Sequence, residues 1–324
     1  MNIPKVSIVI PVYNVEPYIE RCARSLFEQT LDSIEYLFIN DCTPDRSMEV
    51  LQQVLSSYPN RQSQVRIINQ PYNMGAAKAR EIGIKAASGE YIIHCDSDDW
   101  VDKNMYYAMY EKATTDHLDY VMCRSLYYSD GKEHRLVTDI IRLDKYEFIQ
   151  DILNCHTTVS LWNRLVKHSL FKENNFIYPM EHFMEDRAYA VQIAFFAQSY
   201  GCVNVPYYYY FQNKDSICGN STDEVWLKKF KQGTANIRII EIFLGEQGLL
   251  DKYKDILHYN QHVIRILLLP LLKKSNKYRS LWLNSFPNGT CSLWFSKRYS
   301  LPSKIISFFI LIGVYPLINK VLRR

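Results

Sequence analysis

The apolar positions of the first hundred residues form short buried runs that alternate with amphipathic stretches. The runs predict strands at 6–10, 34–39, 65–68 and 91–95. The stretches between them predict helices at 17–29, 47–57 and 76–87. Parallel strands need crossover connections, which are usually helices. This alternation therefore predicts a mostly parallel sheet with helices on both faces.

The pattern changes after residue 100, where strands become rarer. It predicts helices at 103–115, 144–156, 162–172, 184–199, 224–245 and 251–274, strands at 120–123 and 203–211, and a hairpin turn at 130–131. The loosest boundary lies at 218–224. We therefore expect an α/β domain over 1–220, with halves 1–100 and 101–220, and a helical extension over 221–324.

Composition excludes several classes of protein. The 324 residues are 48% hydrophobic and 22% charged, which is typical of a globular protein and not of a disordered or collagen-like chain. The eight cysteines include no CxxC pair, so we expect buried thiols in a reducing compartment and not a zinc or redox motif. The apolar run Val6–Val12, broken by Pro11, is too short for a signal peptide, so we expect a cytoplasmic protein.

Charge is distributed unevenly along the chain. The net charge is +4, yet residues 256–324 contain no Asp or Glu and eleven Lys and Arg, which leaves the first 255 residues at −7. A basic tail on an acidic body predicts an anionic partner for the tail. Nothing in the sequence resembles a module that binds nucleic acid, so we expect an anionic membrane surface instead.

The tail also contains the apolar run Ile305–Ile318, which is 14 residues long. That is below the roughly 20 residues needed to span a bilayer. Two interpretations remain open: a helix within 300–324 that lies on the membrane surface, or a terminal helix packed on the rest of the protein. In the first, four aromatic residues would anchor the helix at headgroup depth, namely Trp282, Trp294, Phe295 and Tyr299.

Polar residues follow three of the predicted strands. Asn14 follows the first, Asp41 the second, and a group of three acids the fourth, namely Asp96, Asp98 and Asp99. The carboxyl ends of such strands meet at one sheet edge, where ligands bind. Gathered carboxylates favour a divalent cation that bridges a diphosphate, although any single one is more often a solvated turn. Neither GxGxxG nor GxxxxGK[ST] occurs, which disfavours dinucleotide dehydrogenases and P-loop enzymes.

These residues lie within four motifs that together resemble family 2 glycosyltransferases. The motifs are SIVIPVYN (7–14), FINDCTPDRS (38–47), NMGAAKAREIG (73–83) and GEYIIHCDSDDW (89–100). The resemblance implies the GT-A fold, a nucleotide-sugar-binding mixed sheet flanked by helices. It also implies a nucleotide-sugar donor, a Mn²⁺ or Mg²⁺ ion, and inversion at the anomeric carbon.

The resemblance assigns donor roles to residues of the first half. Asp41 would accept hydrogen bonds from the base or ribose, and Asp96 with Ser97 would face the nucleotide-sugar. The nucleoside pocket would be shaped by Pro11, Tyr13 and Asn14. Cys42 stands where the family often has glycine.

The resemblance also assigns roles to charged residues of the first half. Asp98, with Asp96, would bind the metal. Arg80 and Lys78 would approach the diphosphate, although Lys78 could equally solvate its own helix.

The second half matches the family more loosely. Trp162 begins WNRL, which resembles its W-N-K-L motif, and Met184–Arg187 resembles its E-D motif. By that likeness Asp186, or else Glu185, would be the general base, although two acids in a first helical turn also suit the helix dipole.

The remaining assignments concern the acceptor and the diphosphate. Trp162 and His182 would lie on the acceptor side. Lys214 is the only candidate for a diphosphate contact after the tyrosine-rich strand.

The expected enzyme transfers a sugar from a UDP-linked donor to a hydroxyl of a lipid-linked or cell-surface glycan, at the inner face of the cell membrane. Two alternatives remain. A sugar-phosphate nucleotidyltransferase would carry a Gly-rich basic loop, which residues 7–16 lack. A non-catalytic binder of glycan or nucleotide would have no need of the four intact acids, namely Asp41, Asp96, Asp98 and Asp186.

Overall fold

The computed structural model describes residues 3–129, 132–137, 139, 141–212 and 222–321. Within them, nine strands form one mixed sheet in the order β3-β2-β1-β4-β8-β6-β9-β5, with β7 paired to β6. The strands are β1 (Val6–Val12), β2 (Ile34–Asn40), β3 (Val65–Asn69), β4 (Tyr91–His94), β5 (Trp100–Val101), β6 (Tyr120–Ser129), β7 (Lys132–Val137), β8 (Arg164–Lys167) and β9 (Tyr200–Phe211).

The helices follow the chain in two groups. Those up to β9 are α1 (Glu16–Phe27), α2 (Ser47–Ser56), α3 (Ala76–Ala86), α4 (Met105–Thr115), α5 (Lys145–Leu153), α6 (Ser169–Lys172) and α7 (Glu185–Phe196). Those after it are α8 (Asp223–Glu246), α9 (Leu250–Ile266), α10 (Leu269–Leu272), α11 (Arg279–Ser285), α12 (Pro287–Phe295), α13 (Leu301–Leu311) and α14 (Tyr315–Val321).

Strand β1 is central and is covered on both faces. It pairs in parallel with β2 and β4. Ile8 and Ile10 share a core with Leu26 of α1. Val9 points to the other face, where Gly83 lets α3 approach so closely that a Cβ there would lie 2.2 Å from Val9 Cγ1. Burial on both faces explains why β1 is an unbroken apolar run.

The predicted fold class is confirmed, as are the four parallel strands and the helices between them. The predicted helix at 162–172 is wrong. Its first part is β8, which pairs antiparallel with β4 and β6, and only Ser169–Lys172 is helical. Periodicity cannot separate a short buried strand from a buried helix, and here partners distant in sequence decide. The predicted turn at 130–131 lies outside the described residues.

The chain divides into two compact units. The first comprises Met1–His182 and Tyr189–Ser216, and contains the sheet. The second comprises Phe183–Ala188 and Ile217–Arg324. In its described residues this unit is helical, and α8 and α9 pack against each other.

The apolar run of the tail is broken in two. Gly313, at φ 78°, separates α13 from α14. In the described part of the chain, no helix has both the length and the apolar composition to cross a bilayer.

The prediction of aromatic membrane anchors is wrong for two of the four residues. Trp282 is 1% exposed, with the guanidinium of Arg265 4.6 Å from its ring centroid, and Tyr299 is 5% exposed. Phe295, in contrast, is 87% exposed, and Trp294 is partly exposed. The prediction of buried thiols also fails at two exposed positions, Cys42 and Cys155.

Candidate active site

The strand ends meet at one edge of the sheet, as the alternation predicts. In the register of β1 and β2, Val12 lies beside Asn40, and the amide of Asp41 donates to the carbonyl of Val12 at 3.0 Å. The amide of Cys95, after β4, donates to the carbonyl of Val9 at 3.0 Å. The turns that begin at Tyr13, Asp41 and Asp96 therefore lie side by side.

The turn after β1 is held to the turn after β2. Asn14 has φ 55°, and its amide donates to Thr43 Oγ1 at 2.8 Å. Tyr13 is 45% exposed, whereas Pro11 is half-buried. Their role in a nucleoside pocket stays a prediction. Cys42 has φ 56°, the left-handed region in which glycine is favoured, which accounts for the glycine often found there in the family.

Asp41 is buried and organises the turn that leads into α3. Its two carboxylate oxygens accept hydrogen bonds from the amides of Met74 and Gly75, at 2.7 and 2.6 Å. A carboxylate has about four lone-pair sites, so two remain for a ligand. The predicted contact with a base or ribose is untested.

The acidic turn after β4 carries a salt bridge from α3. Arg80 Nη2 lies 2.9 Å from Asp96 Oδ1, and Arg80 is itself buried. Ser97 is buried between Asp96 and Asp98. Burial raises the pKa of Asp98 to about 6, and the negative charge of Asp96 adds to this effect. Because burial disfavours the ionised carboxylate of Asp98, a cation bound beside it would be stabilising.

Asp99 is hydrogen-bonded to β9 through its carboxylate. It is fully buried and accepts hydrogen bonds from the hydroxyl of Tyr208, at 2.6 Å, and the amide of Phe211, at 2.7 Å. The Tyr208 hydroxyl also accepts from the amide of Asp96 at 3.1 Å. Burial raises the pKa of Asp99 well above its usual range, with the charges of Asp98 and Asp96 adding to the effect. Asp99 therefore anchors the acidic turn to β9.

Sequence reasoning missed Arg21, which supports the acidic turn from α1. Its Nη2 donates to the carbonyl of Asp98 at 2.9 Å. Its guanidinium carbon lies 3.9 Å from the ring centroid of Trp100 and 4.7 Å from that of Phe211. No sequence pattern marks this residue, because the bonded partner lies 77 residues away.

Lys78 and His94 have structural surroundings that explain them without a ligand: an ion pair for Lys78 and burial for His94. Lys78 Nζ lies 2.7 Å from Glu81 Oε2 on the same helix, as the helix-solvating interpretation expects. Its approach to a diphosphate stays a prediction. His94 is buried in β4, where burial lowers its pKa well below the usual range. It is therefore a neutral core side chain.

Two residues were predicted to face the acceptor. His182 lies over the start of α3, where its Nδ1 accepts from the amide of Ala77 at 3.4 Å. Gly75 makes room for it, since a Cβ there would lie 1.5 Å from His182 Cε1. Trp162 is 5% exposed and stacks on Tyr208, with ring centroids 4.1 Å apart. Contact of either residue with an acceptor stays a prediction.

The two candidate bases begin α7. Glu185 and Asp186 occupy its first turn, after Met184 at φ 69°. Glu185 is buried, whereas Asp186 is half-buried. This placement suits the helix dipole, and a catalytic role stays a prediction. Lys214 lies outside the described residues.

Two acids of the turn after β4 are the candidate ligands for a metal. In the residues that the structure describes, no three His, Cys, Asp or Glu side chains converge as a metal site. Asp96 and Asp98 carry hard carboxylate oxygens, and the pKa of Asp98 is raised mainly by its burial, with the charge of Asp96 adding to the effect. This fits a Mg²⁺-type ion, which typically takes one or two carboxylates and completes its shell with phosphate and water.

Comparison with known proteins gives consistent matches. A family model described as glycosyl transferase family 2 matches residues 7–189, more than half of the chain. EpsJ of Bacillus subtilis, an uncharacterized glycosyltransferase, is 35% identical over 225 residues. The alignment covers 66% of this chain and 63% of EpsJ, so the chain spans less than two thirds of that relative.

Two solved structures show the same fold. TarS 1–349 of S. aureus, in complex with UDP, superposes with a TM-score of 0.66 at 16% identity, covering 98% of this chain and 91% of that one. The mannosyltransferase PcManGT of Pyrobaculum calidifontis, in complex with GDP-Man and Mn²⁺, gives a TM-score of 0.52 at 15% identity, covering 99% and 87%. At these identities the likeness establishes the GT-A fold alone.

Proposed function

This chain belongs to glycosyl transferase family 2, and we propose that it moves a sugar, with inversion, from a UDP-linked donor to a hydroxyl of a lipid-linked or cell-surface glycan. The observation that supports the proposed nucleotide-sugar donor is the acidic turn after β4. There Asp96 is paired with Arg80, and Asp98 has a raised pKa. Such a turn is suited to a cation and a diphosphate.

The donor proposal draws on the two solved structures. TarS is described with UDP, and PcManGT with GDP-Man and Mn²⁺. For this chain we propose that Asp98 and Asp96 hold Mn²⁺ or Mg²⁺ and that Asp41 and Asn14 receive the nucleoside. When bound, the ion would neutralise the departing diphosphate.

The transfer step needs one base. We propose that Asp186, or else Glu185, takes the proton of the acceptor hydroxyl. The hydroxyl oxygen then forms a bond to the anomeric carbon, the bond from that carbon to the diphosphate oxygen breaks, and its electron pair leaves with the nucleoside diphosphate. Exclusion of water from the site would limit hydrolysis of the donor.

The location is also part of the proposal. We propose that the enzyme works in the cytoplasm at the inner face of the cell membrane, where a lipid-linked acceptor would be presented. The support is the basic tail, which has no acidic residue from 256 to 324.

The test is a panel of donors. The full chain is incubated with UDP-glucose, UDP-galactose, UDP-GlcNAc and GDP-mannose, with and without candidate lipid-linked or glycan acceptors. Each reaction contains Mn²⁺, Mg²⁺ or EDTA, and released nucleoside diphosphate is measured. We expect release from one UDP-sugar that EDTA abolishes and Asp98→Ala removes. Asp116→Ala is the matched control, because Asp116 is exposed and pairs with Lys112.

Other outcomes separate the alternatives. Pyrophosphate formed from a sugar phosphate and a nucleoside triphosphate would identify a nucleotidyltransferase instead. Binding of UDP without turnover of any donor would favour the non-catalytic binder.

A further inference from the structure

Helix α13 presents a row of apolar side chains to solvent. Leu301, Ile305, Phe308 and Ile312 are 69, 45, 46 and 52% exposed. Their spacing of four, three and four residues places them on one side of a helix. Trp294 lies edge-on to Phe308, with centroids 6.2 Å apart, and joins the row to the end of α12. We call these five residues, together with Phe295, the apolar face.

The opposite side of α13 is fixed within the second unit. Ser307 and Ile310 are each 1% exposed. Arg279 donates to the carbonyl of Ile310 at 2.9 Å and to that of Leu311. Ser300 caps the first turn by accepting from the amide of Ser303. The helix is therefore held in place, and the exposure of its outer row is a property of the folded unit.

The surroundings of the apolar face are basic. Lys297 is exposed between Phe295 and the start of α13. Lys304 lies on α13, with Nζ 3.1 Å from the carbonyl of Trp294. Arg298 is paired with Asp255 at 2.6 Å. Lys297 and Lys304 therefore place positive charge beside the apolar patch, whereas the charge of Arg298 is matched by Asp255.

We propose that the apolar face inserts into the headgroup region of an anionic lipid bilayer, with Lys297 and Lys304 contacting the lipid phosphates. Aromatic and aliphatic side chains beside Lys and Arg are typical of segments that lie in this interface. A two-fold dimer through the same face would bring like charges together, because both copies contribute the same patch. The proposal rests on the proposed function only for the lipid-linked acceptor that the bilayer would present.

The experiment is sedimentation of the full chain with vesicles, without any donor. One set is phosphatidylcholine alone, and the other contains about 30 mol% phosphatidylglycerol. We expect binding to the anionic set, weakened by high salt. The double variant Ile305→Ser/Phe308→Ser should lower the partition coefficient by about tenfold or more, because it removes two apolar side chains from the contact.

The controls separate insertion from folding. Ile242→Ser changes an isoleucine of α8 that is 54% exposed and lies outside the apolar face, so it should bind like the wild type. Lys297→Glu/Lys304→Glu should lose binding to anionic vesicles. The thermal midpoint of every variant should stay near that of the wild type, because all the changed side chains are exposed or half-exposed.

Three results would overturn the proposal. Binding could be independent of phosphatidylglycerol, or unchanged in the Ile305→Ser/Phe308→Ser variant. The chain could also self-associate in light scattering and become monomeric in that variant, which would make the face a contact between copies. Release of nucleoside diphosphate from the donor is measured in parallel. If the wild type binds vesicles but releases no nucleoside diphosphate, the result would count against the proposed function and not against the apolar face.

Discussion

The side chain of Arg21 donates a hydrogen bond of 2.9 Å to the main-chain carbonyl of Asp98. It also lies against the rings of Trp100 and Phe211. Helix α1 therefore supports the acidic turn through the main chain of Asp98 and not through its carboxylate. This support makes Arg21 a positioning residue.

Arg21→Ala should lower the transfer rate by about tenfold to a hundredfold, because small displacements of a site residue have effects of that size. The Mn²⁺ concentration that gives half of the maximal rate should rise as well, which a general loss of stability would not produce. Arg21→Lys should recover little, since lysine lacks the planar fork.

The matched control for Arg21 is Arg24→Ala, one turn further along α1. Arg24 is half-exposed and pairs with Glu20 at 2.8 Å. It should keep wild-type kinetics and metal dependence. An equal loss of transfer rate in both variants would show that α1 matters only for folding.

Asp98→Asn should remove transfer and yet stabilise the metal-free protein at neutral pH. The pKa of Asp98 is raised from 3.8 to about 6 by burial and by Asp96. The folded state thus holds this proton more tightly than the unfolded state, so the free energy of unfolding falls as pH rises from about 3.8 to about 6. Asparagine avoids that loss, and we expect a gain of up to about 3 kcal/mol at pH 7.5 that disappears near pH 4.

Urea unfolding at the two pH values, without metal, measures this difference. Asp99→Ala serves as the contrast, because it removes the acceptor of the hydrogen bonds from Tyr208 and Phe211. It should destabilise the protein by about 1–3 kcal/mol near pH 4, where Asp98→Asn has no effect. A destabilised Asp98→Asn protein at pH 7.5 would contradict the prediction.

Asp186→Asn should reduce transfer by about 10²–10⁴-fold, the usual contribution of a general base. Affinity for UDP, measured by calorimetry, should change little, since the proposed base acts on the acceptor. Glu185→Gln is the comparison within the same helical turn and should retain more activity. If UDP binding collapses in Asp186→Asn, the residue is structural, and if Glu185→Gln is the inactive variant, the two roles are exchanged.

Gly75→Ala should destabilise the fold and weaken binding of UDP. The new Cβ would overlap the ring of His182, and φ at this position is 84°. Together these effects should cost about 2–4 kcal/mol. Gly245→Ala, in α8, is the control, because nothing lies within 4 Å of a Cβ there. It should raise the free energy of unfolding by at most about 1 kcal/mol. Chemical unfolding of both variants provides the measurement.

The sequence alone predicts the parts of the fold that local pattern determines. The strands β1, β2 and β4 are buried on both faces, so their apolar runs are unambiguous. The strand β8 is not predictable in this way, since Leu165 and Val166 become a strand only by pairing with β4 and β6.

The same limit applies to the candidate site. The acids of the turn after β4 look alike in sequence, but Asp99 is distinguished by Tyr208, 109 residues further on. Arg21 is recognisable only from its distant partner. Burial likewise separates Trp282 from Phe295, although both are aromatic residues of the same basic tail.

The phenol of Tyr208 contacts both ends of the acidic turn, at the amide of Asp96 and the carboxylate of Asp99. Only Ser97 and Asp98 lie between these two attachments. A turn with such fixed ends has little freedom to move its carboxylates outward, so the proposed ion would have to accept short ligand distances. The larger Ca²⁺, whose oxygen ligands lie at about 2.3–2.6 Å, should substitute poorly for Mg²⁺, whose ligands lie at about 2.0–2.1 Å.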